Sequence, residues 1–133
     1  MNLFQLGDFT LNSGAKSKFK LECDALTDDD IKALAEMIRQ LVPPFSSVEG
    51  VPQGGLRLAD ALRPLASMSG PHLIVDDVLT TGGSMERLAD SKRSVTPYPI
   101  IGAVIFARGQ CPNWIKSLFQ MPECFWLKPR TRG

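Results

Sequence analysis

Residues 72–84 read HLIVDDVLTTGGS. Leu73, Ile74 and Val75 form a short apolar run with the composition of a buried strand. It meets two adjacent carboxylates, Asp76 and Asp77, and then a loop of hydroxyls and glycines, Thr80-Thr81-Gly82-Gly83-Ser84. A helix is expected to start at Gly83 or Ser84 and run to about Asp90. The free N–H groups of a turn and a helix N-terminus attract an anion, and the helix dipole assists. Glycines let the backbone approach that anion closely. Carboxylates would repel a phosphate held there. They make sense if the same ligand presents hydroxyls one sugar-length away, because an ionised Asp accepts hydrogen bonds. A ribose 2′,3′-diol carrying a 5′-phosphate has that arrangement.

Working outward, the periodicities alternate. Residues 9–12 and 18–23 read as short strands. Thr27 is a good N-cap, Asp28, Asp29 and Asp30 fill a first helical turn, and Asp30 can close a capping box. Ile31, Leu34, Ala35, Ile38 and Leu41 then make an apolar stripe that Pro43-Pro44 ends. Residues 46–51 read as a strand leading into VPQGG, and residues 55–66 as a helix. The apolar run at 100–106 (IIGAVIF) suits a central parallel strand buried on both faces. Pro112 is expected to open a last short helix carrying Trp114, Ile115, Leu118 and Phe119, with an edge strand at Phe125-Trp126-Leu127. Strands alternating with helices imply an α/β fold with a largely parallel sheet flanked by helices in three layers. Ligands in such sheets bind beyond the carboxyl ends of the strands. The loops at 50–55 and 76–84 leave strands in that direction.

The chain has 133 residues, 44% of them hydrophobic, and a formal net charge of +1. That length suits one domain. The near-neutral charge argues against nucleic-acid or membrane partners, and Lys128, Arg130 and Arg132 read as a solvated tail. No apolar run approaches the roughly 20 residues of a membrane span, and no secretory leader is visible. Cys23, Cys111 and Cys124 are odd in number and widely spaced, which predicts reduced thiols and a cytoplasmic setting rather than disulfides or zinc. His72 is the single histidine, so two-histidine zinc motifs are excluded.

IVDDVLTTGGS resembles the motif by which type I phosphoribosyltransferases bind 5-phosphoribosyl 1-diphosphate (PRPP). FQLGDFTLNSGAKSKFKL (4–21) is similar to the opening of orotate phosphoribosyltransferases, which lies beside the base. GVPQGG (50–55) stands where the family carries its pyrophosphate loop. The resemblance covers roughly residues 4–106 and implies a shortened phosphoribosyltransferase fold. Residues 1–133 would be one domain, with 1–24 a hood over the base and 25–133 the core. It further implies that Asp76 and Asp77 hold the ribose hydroxyls, Asp77 on the reacting side of the sugar. Thr80, Thr81, Gly82, Gly83 and Ser84 would hold the 5′-phosphate, and Val51, Pro52, Gln53 and Gly54 would lie against the pyrophosphate. Lys16 would reach the ligand. Mg²⁺ would ride on the ligand rather than in a protein cage. PRPP or a nucleoside monophosphate is the implied ligand and a homodimer the implied assembly. The pyrophosphate loop of the family often contains a cis peptide, and X-Pro bonds adopt cis more readily than others, so Val51–Pro52 is where one is expected.

Three departures stand out. Gln53 occupies the place of a lysine, and Asn12 that of a basic residue. Only 20 residues separate Gly55 from Asp76, where the family places a further strand and a mobile basic lid. Three readings therefore stay open: transfer of phosphoribosyl to a nitrogenous base, most naturally an orotate-like pyrimidine; a reduced PRPP- or nucleotide-binding module with a regulatory or interaction role; and a structural domain with a vestigial site.

Overall fold

In the computed structural model, which describes residues 1–10, 14 and 16–121, the strand that opens HLIVDDVLTTGGS lies inside a four-stranded parallel sheet. The elements run β1 (Phe4–Thr10), β2 (Lys16–Leu21), α1 (Asp28–Leu41), β3 (Ser47–Gly50), α2 (Leu56–Leu62), β4 (His72–Leu79), α3 (Gly83–Arg93), β5 (Ile100–Ala107) and β6 (Ile115–Gln120). The parallel sheet has the order β3-β4-β5-β6, and β1 and β2 form a separate antiparallel ribbon.

Successive residues of β4 point to opposite faces. Leu73 and Val75 join the cluster containing Ile38, Leu58 and Leu62, under α1 and α2. Ile74 joins Met85 and Ala89, under α3. All three β4 residues are fully buried. A strand covered on both sides has no polar face, which is why its sequence runs apolar instead of alternating. The layers are helix, sheet, helix, as expected for this α/β class.

α1 forms as its sequence predicts. Thr27 Oγ1 accepts from the Asp30 amide at 3.1 Å, and Asp30 Oδ2 accepts from the Thr27 amide at 2.9 Å. Ile31, Ala35 and Ile38 are buried, whereas Leu41, the last residue of the stripe, is 40% exposed. α2 is shorter than expected: it ends at Leu62, and a 3₁₀ turn at Arg63–Leu65 containing Pro64 follows.

Two further expectations are corrected. β4 does not stop at Val75 but carries Asp76 and Asp77 within the strand as far as Leu79, so the loop starts at Thr80. The ladder to β5 continues through Asp76↔Val104, Val78↔Phe106 and Leu79↔Ala107 and holds the extension. The segment after Pro112 is not a helix but the edge strand β6. Ile115 pairs with Gly102, whose amide donates to the Trp114 carbonyl at 2.8 Å. The free edge of β5 offers a ladder of hydrogen bonds, and that tertiary pairing outweighs a short helical pattern. Asn12, Cys124, the Phe125-Trp126-Leu127 strand and the basic tail lie outside the described residues. Among the described residues no helix is long and apolar enough to cross a membrane.

The β1–β2 ribbon, the hood segment of the sequence reading, is tied to the core through buried Phe19 and Leu21. Phe4 also meets Phe106 edge to face, with ring centroids 6.0 Å apart. At the other side of β5, a Cβ on Gly102 would stand 2.9 Å from the Trp114 ring and 3.0 Å from Met85 Cε. Gly102→Val should therefore overpack both neighbours and cost about 1–3 kcal/mol of stability in a urea titration. An unchanged midpoint would mean that the Trp114 packing is loose.

Candidate functional site

Parallel pairing sets the end of β3 beside the middle of β4, with Gly50 opposite Val75. The chain leaving β3 folds straight back onto β4 at Val75. The Val51 amide donates to the Val75 carbonyl at 2.9 Å, and the Gly55 amide closes a turn on the Val51 carbonyl at 2.8 Å. The glycines are there for space. A Cβ on Gly55 would come 2.4 Å from the Val75 carbonyl oxygen, and one on Gly54 would come 2.5 Å from both Asp77 carboxylate oxygens. The loop thus lies against Asp77 through bare backbone. It contains a cis peptide, but at Pro52–Gln53 rather than at Val51–Pro52.

The two carboxylates serve different neighbourhoods. Asp76 borders a small nook of about 50 Å³ formed with residues 78–85. Asp77 faces Gly54 and Cys23. Each carboxylate is steadied by the backbone: Asp76 Oδ1 accepts from the Asp77 amide at 2.8 Å, and Asp77 Oδ1 accepts from the Val78 amide at 2.7 Å. Burial, and then the neighbouring Asp77, push the Asp76 carboxyl up to about 8. Two adjacent carboxylates cannot both ionise cheaply in a half-buried site. Burial, and then the Asp77 charge, likewise push the Cys23 thiol up to about 12, so it stays protonated and weakly nucleophilic.

The nook is walled by the hydroxyl–glycine loop and the start of α3. Gly82, at φ 84°, turns the chain into α3. Within the loop, the Gly83 amide reaches Thr81 Oγ1 only at 3.4 Å, a weak bond that leaves it available to a ligand. The Thr80 and Ser84 side chains also border a larger cleft of about 630 Å³, together with Val51, Pro52, Gln53, Gly54, Asp76 and Asp77. The fold therefore gathers the acidic pair, the hydroxyl loop and the VPQGG loop around one continuous space. Thr81, Gly82 and Gly83 line the adjoining nook. Lys16 lines a recess of about 320 Å³ on the ribbon, and its ammonium donates at 2.8 Å to Thr10 Oγ1, a residue that borders both this recess and the large cleft.

The sequence reading missed Arg108. It is 3% exposed and lines the large cleft. Its guanidinium lies 3.8 Å from the Phe19 ring centroid, bonds the Ser17 hydroxyl, and donates to the Phe19 carbonyl at 2.8 Å. No carboxylate pairs with it among the described residues. Burial lowers its pKa. A signal was present: Arg108 is the first charged residue after IIGAVIFA, at the carboxyl end of β5, level with the site end of β4.

No family model matches this chain, and no curated protein matches it in sequence. Solved structures do. The orotate phosphoribosyltransferase of Aeropyrum pernix superposes with a TM-score of 0.72 at 22% identity, over 90% of this chain and 88% of that one. The orotate phosphoribosyltransferase of Mycobacterium tuberculosis, solved with Fe(III) dicitrate, gives 0.67 at 17% identity over 89% of each chain. Leishmania donovani UMP synthase gives 0.72 at 16% identity over 90% of this chain but 34% of its own length. At these identities the likeness is one of fold, and the fold is the α/β fold of type I phosphoribosyltransferases.

Proposed function

We propose that this protein binds PRPP in the large cleft and transfers its phosphoribosyl group to an anionic, orotate-like pyrimidine, releasing pyrophosphate. The carrying observation is the position of Asp76 and Asp77, held between the hydroxyl nook and the VPQGG loop in one cleft. In this reading the nook takes the 5′-phosphate and the acidic pair accepts hydrogen bonds from the 2′- and 3′-hydroxyls. The Val51–Gly54 backbone lies against the pyrophosphate. A sugar held at both ends presents C1′ in a defined direction, which converts an encounter into an oriented displacement. The acceptor nitrogen bonds to C1′ as the C1′–O bond to pyrophosphate breaks; that electron pair leaves with the oxygen, and the proton of the acceptor N–H passes to the departing pyrophosphate or to solvent.

Arg108 supports an anionic acceptor. A buried guanidinium with only neutral partners is costly, and a carboxylate in the cleft would relieve that cost. The acidic pair also fits a ligand-borne Mg²⁺, since carboxylate oxygens suit a hydrated hard cation. Such an ion, when bound, neutralises charge on the departing pyrophosphate.

A second reading has its own observations. Gln53 places no charge in the pyrophosphate loop. Only residues 66–71 join the turn after α2 to β4. Both features favour a PRPP- or nucleotide-binding module whose leaving-group stabilisation is reduced. Pyrophosphate release from PRPP with orotate, uracil and purine bases separates the two. Transfer predicts release with orotate and little with uracil, and a drop of about 100-fold in Asp76→Asn/Asp77→Asn from loss of sugar positioning. Calorimetric binding of PRPP without release under any base would select the module, and no binding at all would remove both.

The acidic pair also sets a pH dependence in the ligand-free protein. The folded Asp76 carboxyl, at about 8, lies above its ordinary value of about 3.9, so the folded chain holds that proton more tightly. Its contribution is complete at low pH and is lost as pH rises towards 8. His72 works in the opposite direction, because burial lowers its pKa and stability rises with pH up to about 6.5. From pH 7 to 8.5 the Asp76 effect stands alone of these two. Urea midpoints should fall across that window in the unaltered protein and stay flat in Asp76→Asn; parallel slopes would show that the pair does not share a proton.

A further inference from the structure

Six arginines lie among the described residues. Arg39, Arg57, Arg63 and Arg93 each pair with a carboxylate. Arg87 and Arg108 do not: Arg108 lines the cleft, and Arg87 touches the loop that walls the nook. Arg108 faces the acceptor end of the cleft. Arg87, on the second turn of α3, stands at the phosphate end, and the phosphate reading above leaves it unassigned.

Arg87 is exposed, yet its guanidinium lies against the loop. Nη2 donates to Ser84 Oγ at 3.3 Å, and Nη1 stands 3.4 Å from where a Cβ on Gly83 would be. The carboxylates that could draw it away are engaged elsewhere. Glu86 accepts from Trp114 Nε1 at 2.6 Å and lies 3.9 Å from Arg93, while Asp90 pairs with Arg93. The guanidinium therefore rests on a neutral hydroxyl at the rim of a nook whose one carboxylate within the wall is Asp76. The amides and hydroxyls of the loop are neutral, so they leave the charge of a dianion uncompensated. A guanidinium fork supplies the missing charge, and its planar donors match two phosphate oxygens.

We propose that Arg87 is a phosphate-binding residue of this site, closing over the 5′-phosphate from the rim and selecting ligands that end in a dianionic phosphate monoester. The proposal rests on the phosphoribosyl reading of the nook and adds the residue that supplies its charge. The Ser84 hydroxyl then holds the guanidinium in readiness.

The test is calorimetric titration of ribose 5-phosphate and of uridine into the unaltered protein, Arg87→Gln and Arg87→Lys, at low and high salt. Arg87→Gln should weaken ribose 5-phosphate about tenfold, in line with loss of one charged hydrogen-bonding group at an exposed site. Its salt dependence should also flatten. Arg87→Lys, which keeps the charge without the fork, should fall between the two. Uridine, lacking the phosphate, should bind all three alike, and melting temperatures should agree because the side chain is exposed. Equal binding of ribose 5-phosphate by the unaltered protein and Arg87→Gln overturns the role of Arg87 and leaves the phosphoribosyl reading in place. Equal losses for both ligands overturn it as a disturbance of the whole cleft. Failure of the unaltered protein to bind ribose 5-phosphate overturns the phosphoribosyl reading, and the role of Arg87 with it.

Discussion

The close approach of the Val51–Gly55 loop to β4 at Val75 and Asp77 is the constraint on which the site depends. Three backbone contacts define it: the Val51 amide on the Val75 carbonyl, the Gly55 turn on Val51, and Gly54 flush against the Asp77 carboxylate. At Gly54 and Gly55 there is no room for a Cβ. The contact requires β3 and β4 to be parallel and in register, so that β3 ends opposite Val75 while β4 runs on through Asp76 and Asp77 to Leu79. β4 is buried on both faces at Leu73, Ile74 and Val75, which fixes its place inside the sheet. The apolar burial of Leu73, Ile74 and Val75 and the location of the cleft are therefore one arrangement seen at two scales.

The cleft is lined by charges of both signs: Lys20, Glu22, Asp24, Asp76, Asp77 and Arg108. Each member of the acidic pair is steadied by the amide of the residue after it. Of the two arginines without carboxylate partners among the described residues, Arg87 contacts the hydroxyl loop and Arg108 the β1–β2 ribbon. The ribbon contributes by position as well as by residue. Ser17 and Phe19 hold the Arg108 guanidinium, so the segment that resembles a hood also orients the cation beneath it.

Much of this was legible in the chain. The capping box at Thr27, the double-sided burial of 100–106 and the hydroxyl-glycine loop before a helix are local patterns, and local backbone chemistry produced what each predicts. The errors have a common cause. Residues 76–79 and 115–120 are strands because a neighbouring strand offered them a ladder of hydrogen bonds, and that neighbour is remote in sequence. Helical spacing at Trp114, Ile115, Leu118 and Phe119 could not register the vacant edge of β5. The exposure of Leu41 has the same origin, since a stripe records which residues could be buried but not where the partner surface ends.

By itself, then, the sequence determined the α/β class and the order of most of its elements. It also determined the acidic pair and the hydroxyl–glycine loop before α3, because these are contiguous and their chemistry acts over a few residues. The tertiary structure alone decided that the VPQGG loop touches Asp77, that the Lys16 ammonium bonds Thr10 at the border of the cleft, and that Arg108 enters the cleft. It also decided that Arg87 lies over the loop with no carboxylate partner among the described residues. Each of these turns on a distance between atoms far apart in the chain, or on which of several competing carboxylates a cation meets. Those distances follow from strand register and from packing on both faces of β4, which no single stretch of residues encodes.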